Sequence, residues 1–226
     1  MILIEARKLT KEYVVGNFKN QVIKGIDLEV KEKEFISIVG PSGSGKTTLL
    51  YLLSGLEKYT TGEILLFNKE INLYNDKEMS LLRQKNIGFV FQFFNLIPNL
   101  NVFENVEISA VIAGIKDKTR IEEVLKMVGM EDSVHLYPNQ ISGGMQQRVA
   151  IARALVNNPD IIFADEPIGN LDYNNGIAIM EIFKKLNTEY NKTIILVTHN
   201  EDMKKYGTRY LRLIDGKITE DEKVIR

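Results

Sequence analysis

The stretch Gly40-Pro41-Ser42-Gly43-Ser44-Gly45-Lys46-Thr47 decides the fold of this chain. It matches G-x-x-x-x-G-K-[ST], and at glycine usage near ~7% a chance match in a chain of this size is roughly a one-in-a-hundred event. Its flanks fit. Phe35-Ile36-Ser37-Ile38-Val39 reads as a buried strand running into the loop, and Thr48-Leu49-Leu50-Tyr51-Leu52-Leu53 as the helix leaving it, stopped by Gly55. Glycines let the backbone curl so that successive N–H groups point inward, and the helix N-terminus adds partial positive charge. In such a loop Lys46 reaches the β- and γ-phosphates, Thr48 completes the phosphate-binding set, and the Thr47 hydroxyl holds Mg²⁺. The stretch implies binding of a nucleoside triphosphate.

Further out, Ile161-Ile162-Phe163-Ala164 and Ile194-Ile195-Leu196-Val197 are short and wholly apolar, as expected of parallel strands covered on both faces. Ile2-Leu3-Ile4-Glu5-Ala6, Val22 to Val30 and Gly62 to Asn68 read as a β-rich N-terminal part. Asp215-Gly216 reads as the turn of a closing hairpin. Between these, Thr119 to Met130 carries Ile121, Val124, Leu125 and Val128 at i, i+3, i+4 and i+7, one apolar face of a helix. The expected fold class is α/β: a P-loop NTPase core with a parallel sheet, an N-terminal antiparallel β subdomain and an inserted α-helical subdomain. All of it forms one domain over 1–226, with the core and β subdomain at about 1–93 and 156–226 and the helical insert at about 94–155.

Composition narrows the functions. Of 226 residues 44% are hydrophobic, enough for a sizeable core, and a net charge of −1 gives no bulk attraction to nucleic acid or anionic lipid. With no cysteine and two histidines, neither disulfides, thiol catalysis nor a zinc site is expected. The N-terminal apolar stretch is too short for a signal peptide, and no run approaches the ~18 apolar residues of a membrane span. The expected location is cytoplasmic, peripheral at a membrane through a partner, with no direct membrane insertion.

Asp165-Glu166 follows the Ile161 run, which sets two carboxylates at the exposed end of a buried strand. Asp165 there supports Mg²⁺, and Glu166 stands near the γ-phosphate, where a carboxylate can orient and partly deprotonate an attacking water. Ile141-Ser142-Gly143-Gly144-Met145-Gln146-Gln147-Arg148 discriminates further. Ser142 is a good N-cap, and the adjacent glycines leave N–H groups open to an anion. The chain thus carries a second phosphate-binding helix end. The economical explanation is two copies face to face, each helix end completing the other's site.

Taken together, these residues resemble an ABC-transporter nucleotide-binding subunit over nearly the whole chain. The loop Gly40–Thr47, Gln92, Ser142-Gly143-Gly144, Asp165-Glu166, Gly169-Asn170-Leu171-Asp172 and His199 stand in that family's order and approximate spacing. The resemblance implies ATP as the nucleotide, with Tyr13 stacked on its adenine and Gln92 sensing Mg²⁺ and water. It implies that Ser142 and Gly144, with Gly143 between them, bind the γ-phosphate of the opposing subunit. By the same resemblance Asp172 lies in the loop crossing the dimer interface, and His199 holds the γ-phosphate and links to Glu166. Three positions depart from the family's usual residues: Met145 for Gln, Ile168 for Thr, and Lys33 for a turn glycine. A positive φ at Lys33 costs on the order of 1 kcal/mol.

The segment Gly88-Phe89-Val90-Phe91-Gln92-Phe93-Phe94-Asn95-Leu96-Ile97-Pro98 resembles the branch serving macrolide and antimicrobial-peptide export and lipoprotein release. Its Phe93, Phe94, Leu96 and Ile97 form either a protein-docking patch or packing beneath the helical insert. The expected partners are an integral membrane permease subunit and, on ATP binding, a second copy of the chain, with no nucleic acid. Two alternatives stand beside this reading. Non-transport relatives in DNA repair or chromosome organisation carry long coiled coils, for which no sustained heptad run exists here. A P-loop small-molecule kinase fits the length and leaves Ser142-Gly143-Gly144 and Gln146-Gln147-Arg148 unexplained.

Overall fold

The computed structural model describes residues 1–224. It opens on a long hairpin of β1 (Ile2–Val15) and β2 (Phe18–Lys31), so the expected N-terminal strand runs on through Val15. The apolar strand β3 (Phe35–Val39) follows and feeds the phosphate loop and α1 (Lys46–Leu53). The turn before β3 does take the left-handed conformation at Lys33, with φ 65°.

β4 (Thr61–Leu66) and β5 (Lys69–Glu70) complete a four-stranded antiparallel sheet in the order β2-β1-β4-β5. Next comes α2 (Asp76–Asn86), a polar helix that buries only Met79 and starts on a capping box between Asn75 and Glu78. β6 (Ile87–Phe91) leads to α3 (Val102–Ile112), which starts on a second such box between Asn101 and Glu104. α4 (Thr119–Met127) buries Ile121, Val124 and Leu125 on the expected face and ends before Gly129. The element α5 (Gly143–Leu155) then precedes β7 (Ile161–Asp165), α6 (Tyr173–Thr188) and β8 (Thr193–Thr198). β9 (Arg209–Ile214) and β10 (Lys217–Lys223) form the closing hairpin, with Asp215 and Gly216 both at positive φ as its two-residue turn requires.

The second sheet has six strands in the order β10-β9-β3-β8-β7-β6, parallel except for β10 at the edge. Its central strands are buried on both faces, and the side-chain period of two divides them between two cores. Ile162, Ala164, Ile194 and Leu196 pack with Val106, Val124, Val149 and Phe183 of the helices. Ile161, Phe163, Ile195 and Val197 pack on the other side with Leu49, Leu50, Leu52 and Leu53 of α1 and with Ile4, Leu9, Ile64 and Leu66 of the antiparallel sheet. α1 is thereby held in the apolar layer between the two sheets.

Register then sets the chemistry. Phe91 pairs with Asp165, Asp165 with Val197, and Val39 with Thr198. The residues that follow these strand ends, Gln92, Glu166, His199 and Gly40, therefore emerge along one edge, where open α/β sheets hold ligands.

Candidate nucleotide site

The cleft at this edge is lined by Val22, Ser42, Gly43, Gly45, Lys46, Thr47, Thr48, Gln92, Glu166 and His199, with a volume of about 460 Å³. Gly40 takes φ 155°, and a Cβ there would strike the Leu213 carbonyl; the loop can lie against β9 only because it begins on glycine. Gly45, at φ 99°, is the N-cap of α1, so the first N–H groups of the helix open into the cleft without a side-chain cap. The Ser44 hydroxyl, 3% exposed, is buried in the loop without a partner.

The Lys46 ammonium donates to the Gly40 and Pro41 carbonyls at 2.9 Å each. Burial lowers its pKa, against the raising pull of the Glu166 and Asp165 carboxylates. The Thr47 hydroxyl donates to Asp165 Oδ1 at 2.8 Å, and the Tyr51 hydroxyl donates to Asp165 Oδ2 at 2.9 Å. Burial first, and then the Asp165 charge, pushes the Tyr51 phenol up to about 12. Among the described residues no cluster of three or more His, Cys, Asp or Glu could hold a metal alone. The oxygens of Thr47 and Asp165 suit Mg²⁺, a hard ion that keeps its waters and shares substrate phosphates.

Glu166 Oε2 lies 3.0 Å from His199 Nδ1. Its backbone has φ 47°, left-handed for a residue with a Cβ, and is held there by Glu166 N–H donating to the Val197 carbonyl at 3.0 Å. Gln92 is held by Asn170 through reciprocal amide bonds: Gln92 Nε2 donates to Asn170 Oδ1, and Asn170 Nδ2 donates to the Gln92 carbonyl, each at 3.1 Å. Gly169 leaves room for this pair, since a Cβ would come within 2.9 Å of Gln92 Nε2.

Gly40, Pro41, Ser44 and Asp165 stand just behind the cleft lining, and Tyr13, Ser142, Gly143, Gly144 and Asp172 lie outside it. Tyr13 sits beside Thr48 with its hydroxyl on Glu57 at 2.7 Å, and Lys11 Nζ stands 4.8 Å from its ring. Ser142 caps α5, accepting from Met145 N–H at 3.3 Å, and neither it nor Gly144 borders the cleft. Gly143 faces Phe94 and Leu171 instead. Asp172 caps α6, accepting from the Asn175 N–H at 3.0 Å and the Asn175 side chain at 2.6 Å. Of the departures, Ile168 is buried in the helix-side core and Met145 packs against that core. The Phe93 to Ile97 cluster divides: Phe93 and Ile97 are exposed, whereas Leu96 packs on the core.

Sequence reading assigned no role to Tyr51, Asn170, Gln147 or Asn175. Asn170 and Gln147 stand within Gly169–Asp172 and Ile141–Arg148, motifs that were their signal. Tyr51 reads only as a helix residue, because its partner Asp165 is distant in sequence.

The family profile described as ABC transporter matches residues 23–169. The chain is 46% identical over 219 residues to an uncharacterized ABC transporter ATP-binding protein of Thermotoga maritima, covering 96% of this chain and 93% of the relative. It is 44% identical over 222 residues to the lipoprotein-releasing system ATP-binding protein LolD of Bacteroides thetaiotaomicron, covering 97% and 100%. In structure it is similar to the ATP-binding cassette MJ0796, solved as a dimer in a post-hydrolysis state bound to ADP and Pi. That likeness has a TM-score of 0.89 at 43% identity and covers 99% of both chains. With its phosphate loop, strand-end carboxylates and Ser142 helix end in place, the chain belongs to the ABC transporter family, as an ATP-binding subunit and ATPase.

Proposed function

We propose that the chain is one half of a homodimeric ATP-driven motor, docked on a separate integral membrane permease subunit and serving lipoprotein release or the export of drugs or peptides. The observation that carries this is the separation of the two phosphate-binding helix ends: α1 opens into the cleft, whereas Ser142, Gly143 and Gly144 contribute nothing to its lining. A second copy supplies the missing donors, Ser142 and Gly144, to each triphosphate. The dimeric MJ0796 cassette and the names of the LolD relatives support the assembly and the branch.

Within each cleft the triphosphate lies on the loop from Gly40 through Thr48 and on its N–H groups, Pro41 having none, with Lys46 turned from its two carbonyls onto the β- and γ-phosphates. Thr47, with Asp165 behind it, would hold Mg²⁺, and the bound ion would supply positive charge against the charge that develops on phosphoryl transfer. Glu166 orients the attacking water and takes its proton; His199 fixes Glu166 through Oε2 and holds the γ-phosphate. Gln92 contacts the attacking water and would be a further ligand to Mg²⁺ when the ion is bound. Tyr13, at the rim beside Thr48, stacks on adenine, and Asp172 faces the partner copy. The helical segment 94–155 is the lever. The exposed Phe93, just before it, and Ile97, at its start, meet the membrane subunit at the cytoplasmic face, and no described helix is long and apolar enough to cross a membrane.

Glu166→Gln tests the sandwich. The variant should bind Mg-ATP, lose at least ~100-fold in turnover, and run as an ATP-dependent dimer by size exclusion with light scattering. A strictly monomeric Glu166→Gln chain under saturating Mg-ATP rejects the arrangement. Phosphate release that requires an added acceptor substrate points to a kinase.

A further inference from the structure

We propose that Gln147, on the second turn of α5, is a positioning residue that ties the Ser142 helix end to the two loops carrying Gln92 and Glu166. This rests on the site assignment above, in which Gln92 and Glu166 act on the metal and the water. Gln147 is fully buried. Its Nε2 donates to the Phe91 carbonyl at 3.3 Å and to the Pro167 carbonyl at 2.7 Å. Phe91 is the residue before Gln92, and Pro167 is the residue after Glu166. One amide therefore bridges two strand ends 20 and 56 positions away in sequence.

The orientation of that amide has one solution. Reversed, it would set Oε1 against two carbonyl oxygens in a buried site; as it stands, Oε1 has no hydrogen-bond partner, and donation alone fixes the group. α5 grips the Gln92 loop again one helical stretch later, where Arg153 donates to the Phe94 carbonyl at 2.9 Å and to the Asn95 carbonyl. Gln92 and Asn170 close the circuit between the two loops. Glu166 most needs such support, because its backbone is held at φ 47° from one side by β8 and from the other by the residue Gln147 grips. A shift of the Ser142 end on meeting the opposing nucleotide is thereby delivered to both side chains that act on the water.

Gln147→Met keeps the volume and removes the donor. Turnover should fall roughly tenfold with the KM for Mg-ATP held within about twofold, since misplacing a reacting group costs rate before binding. Gln147→Glu turns a carboxylate onto the two carbonyls; it should be less active at neutral pH and recover as the pH is lowered and the acid regains an O–H to donate. Because the chain has no cysteine, a nitroxide at Phe93→Cys reports the Gln92 loop alone, and its spectrum should show greater mobility in the Gln147→Met background. Glu166→Gln, assayed alongside, separates the two levels: if it still turns over, the site assignment fails. If Glu166→Gln is inactive while Gln147→Met keeps parental turnover and parental nitroxide mobility, Gln147 only fills space and the tether is refuted.

Discussion

Glu166 and Lys33 share a backbone conformation that residues with a Cβ rarely adopt, and they differ in what surrounds it. At Glu166 the strain is met by a bond from β8 and places a carboxylate over the cleft. Lys33 has no such role; its N–H goes to Thr193 Oγ1 and its carbonyl to Asn187, and both bonds survive loss of the side chain. Lys33→Gly should stabilise the fold by about 1 kcal/mol, which in a domain of this size raises Tm by roughly 2–4 °C in a calorimetric scan. The lysine was visible in the sequence as an unusual turn residue. The strain at Glu166 was not, because it comes from a hydrogen bond to a strand formed much later in the chain. Asp172 illustrates a third case. The Asn175 backbone N–H chiefly, then its side chain, holds the Asp172 carboxyl below its ordinary value. With the folded pKa below the unfolded one, its contribution is present above the ordinary carboxylate range and lost as pH falls through the depressed value. Asp172→Asn keeps an acceptor that does not titrate, so its acid-unfolding curve should be flatter than the parent's below about pH 4.

Among the elements, the strands were legible and half the helices were not. β3, β7 and β8 announce themselves as apolar runs because both faces are buried. α4 shows its face because only one side is covered. α2 carries a single buried residue, and α3 is apolar nearly all round, so neither gives a helical period; their caps at Asn75 and Asn101 were the only local signals. α3 is also anchored from inside. The fully buried Asn105 donates to the carbonyls of Ile97, Leu100 and Asn101 and accepts from the Ile97 N–H at 2.7 Å. It organises the loop that joins the Gln92 strand to the helix. Asn105→Leu matches the size and takes the side-chain partner from the Ile97 N–H and the Leu100 carbonyl, while the Ile97 and Asn101 carbonyls keep their bonds from the Leu100 and Asn105 N–H groups; it should cost about 2–3 kcal/mol in urea unfolding.

Across the whole molecule, four strand ends in register gather motifs scattered from Gly40 to His199. Most of the site was readable for that reason: each motif follows an apolar run, and strand ends of a parallel sheet share an edge. What tied the motifs together was not readable, since the partners Tyr51, Gln147 and Asn170 meet Asp165, Pro167 and Gln92 only after the sheet has formed. A ligand that binds only the folded form stabilises all of it. Mg-ATP at about a hundred times its Kd should add about 2.7 kcal/mol to unfolding, and Lys46→Ala should lose most of that increment at the same concentration, as thermal shift measures directly. The far rim of the same sheet has its own consequence. β10 ends in Glu220, Asp221, Glu222 and Lys223, with Arg209 on Asp221 and Arg212 on Glu220. An edge so charged is a poor template for another strand. Fibre-like growth of the sheet from that side would first have to strip those carboxylates of water and of their arginines, so even a concentrated solution of the protein meets a rim that resists aggregation.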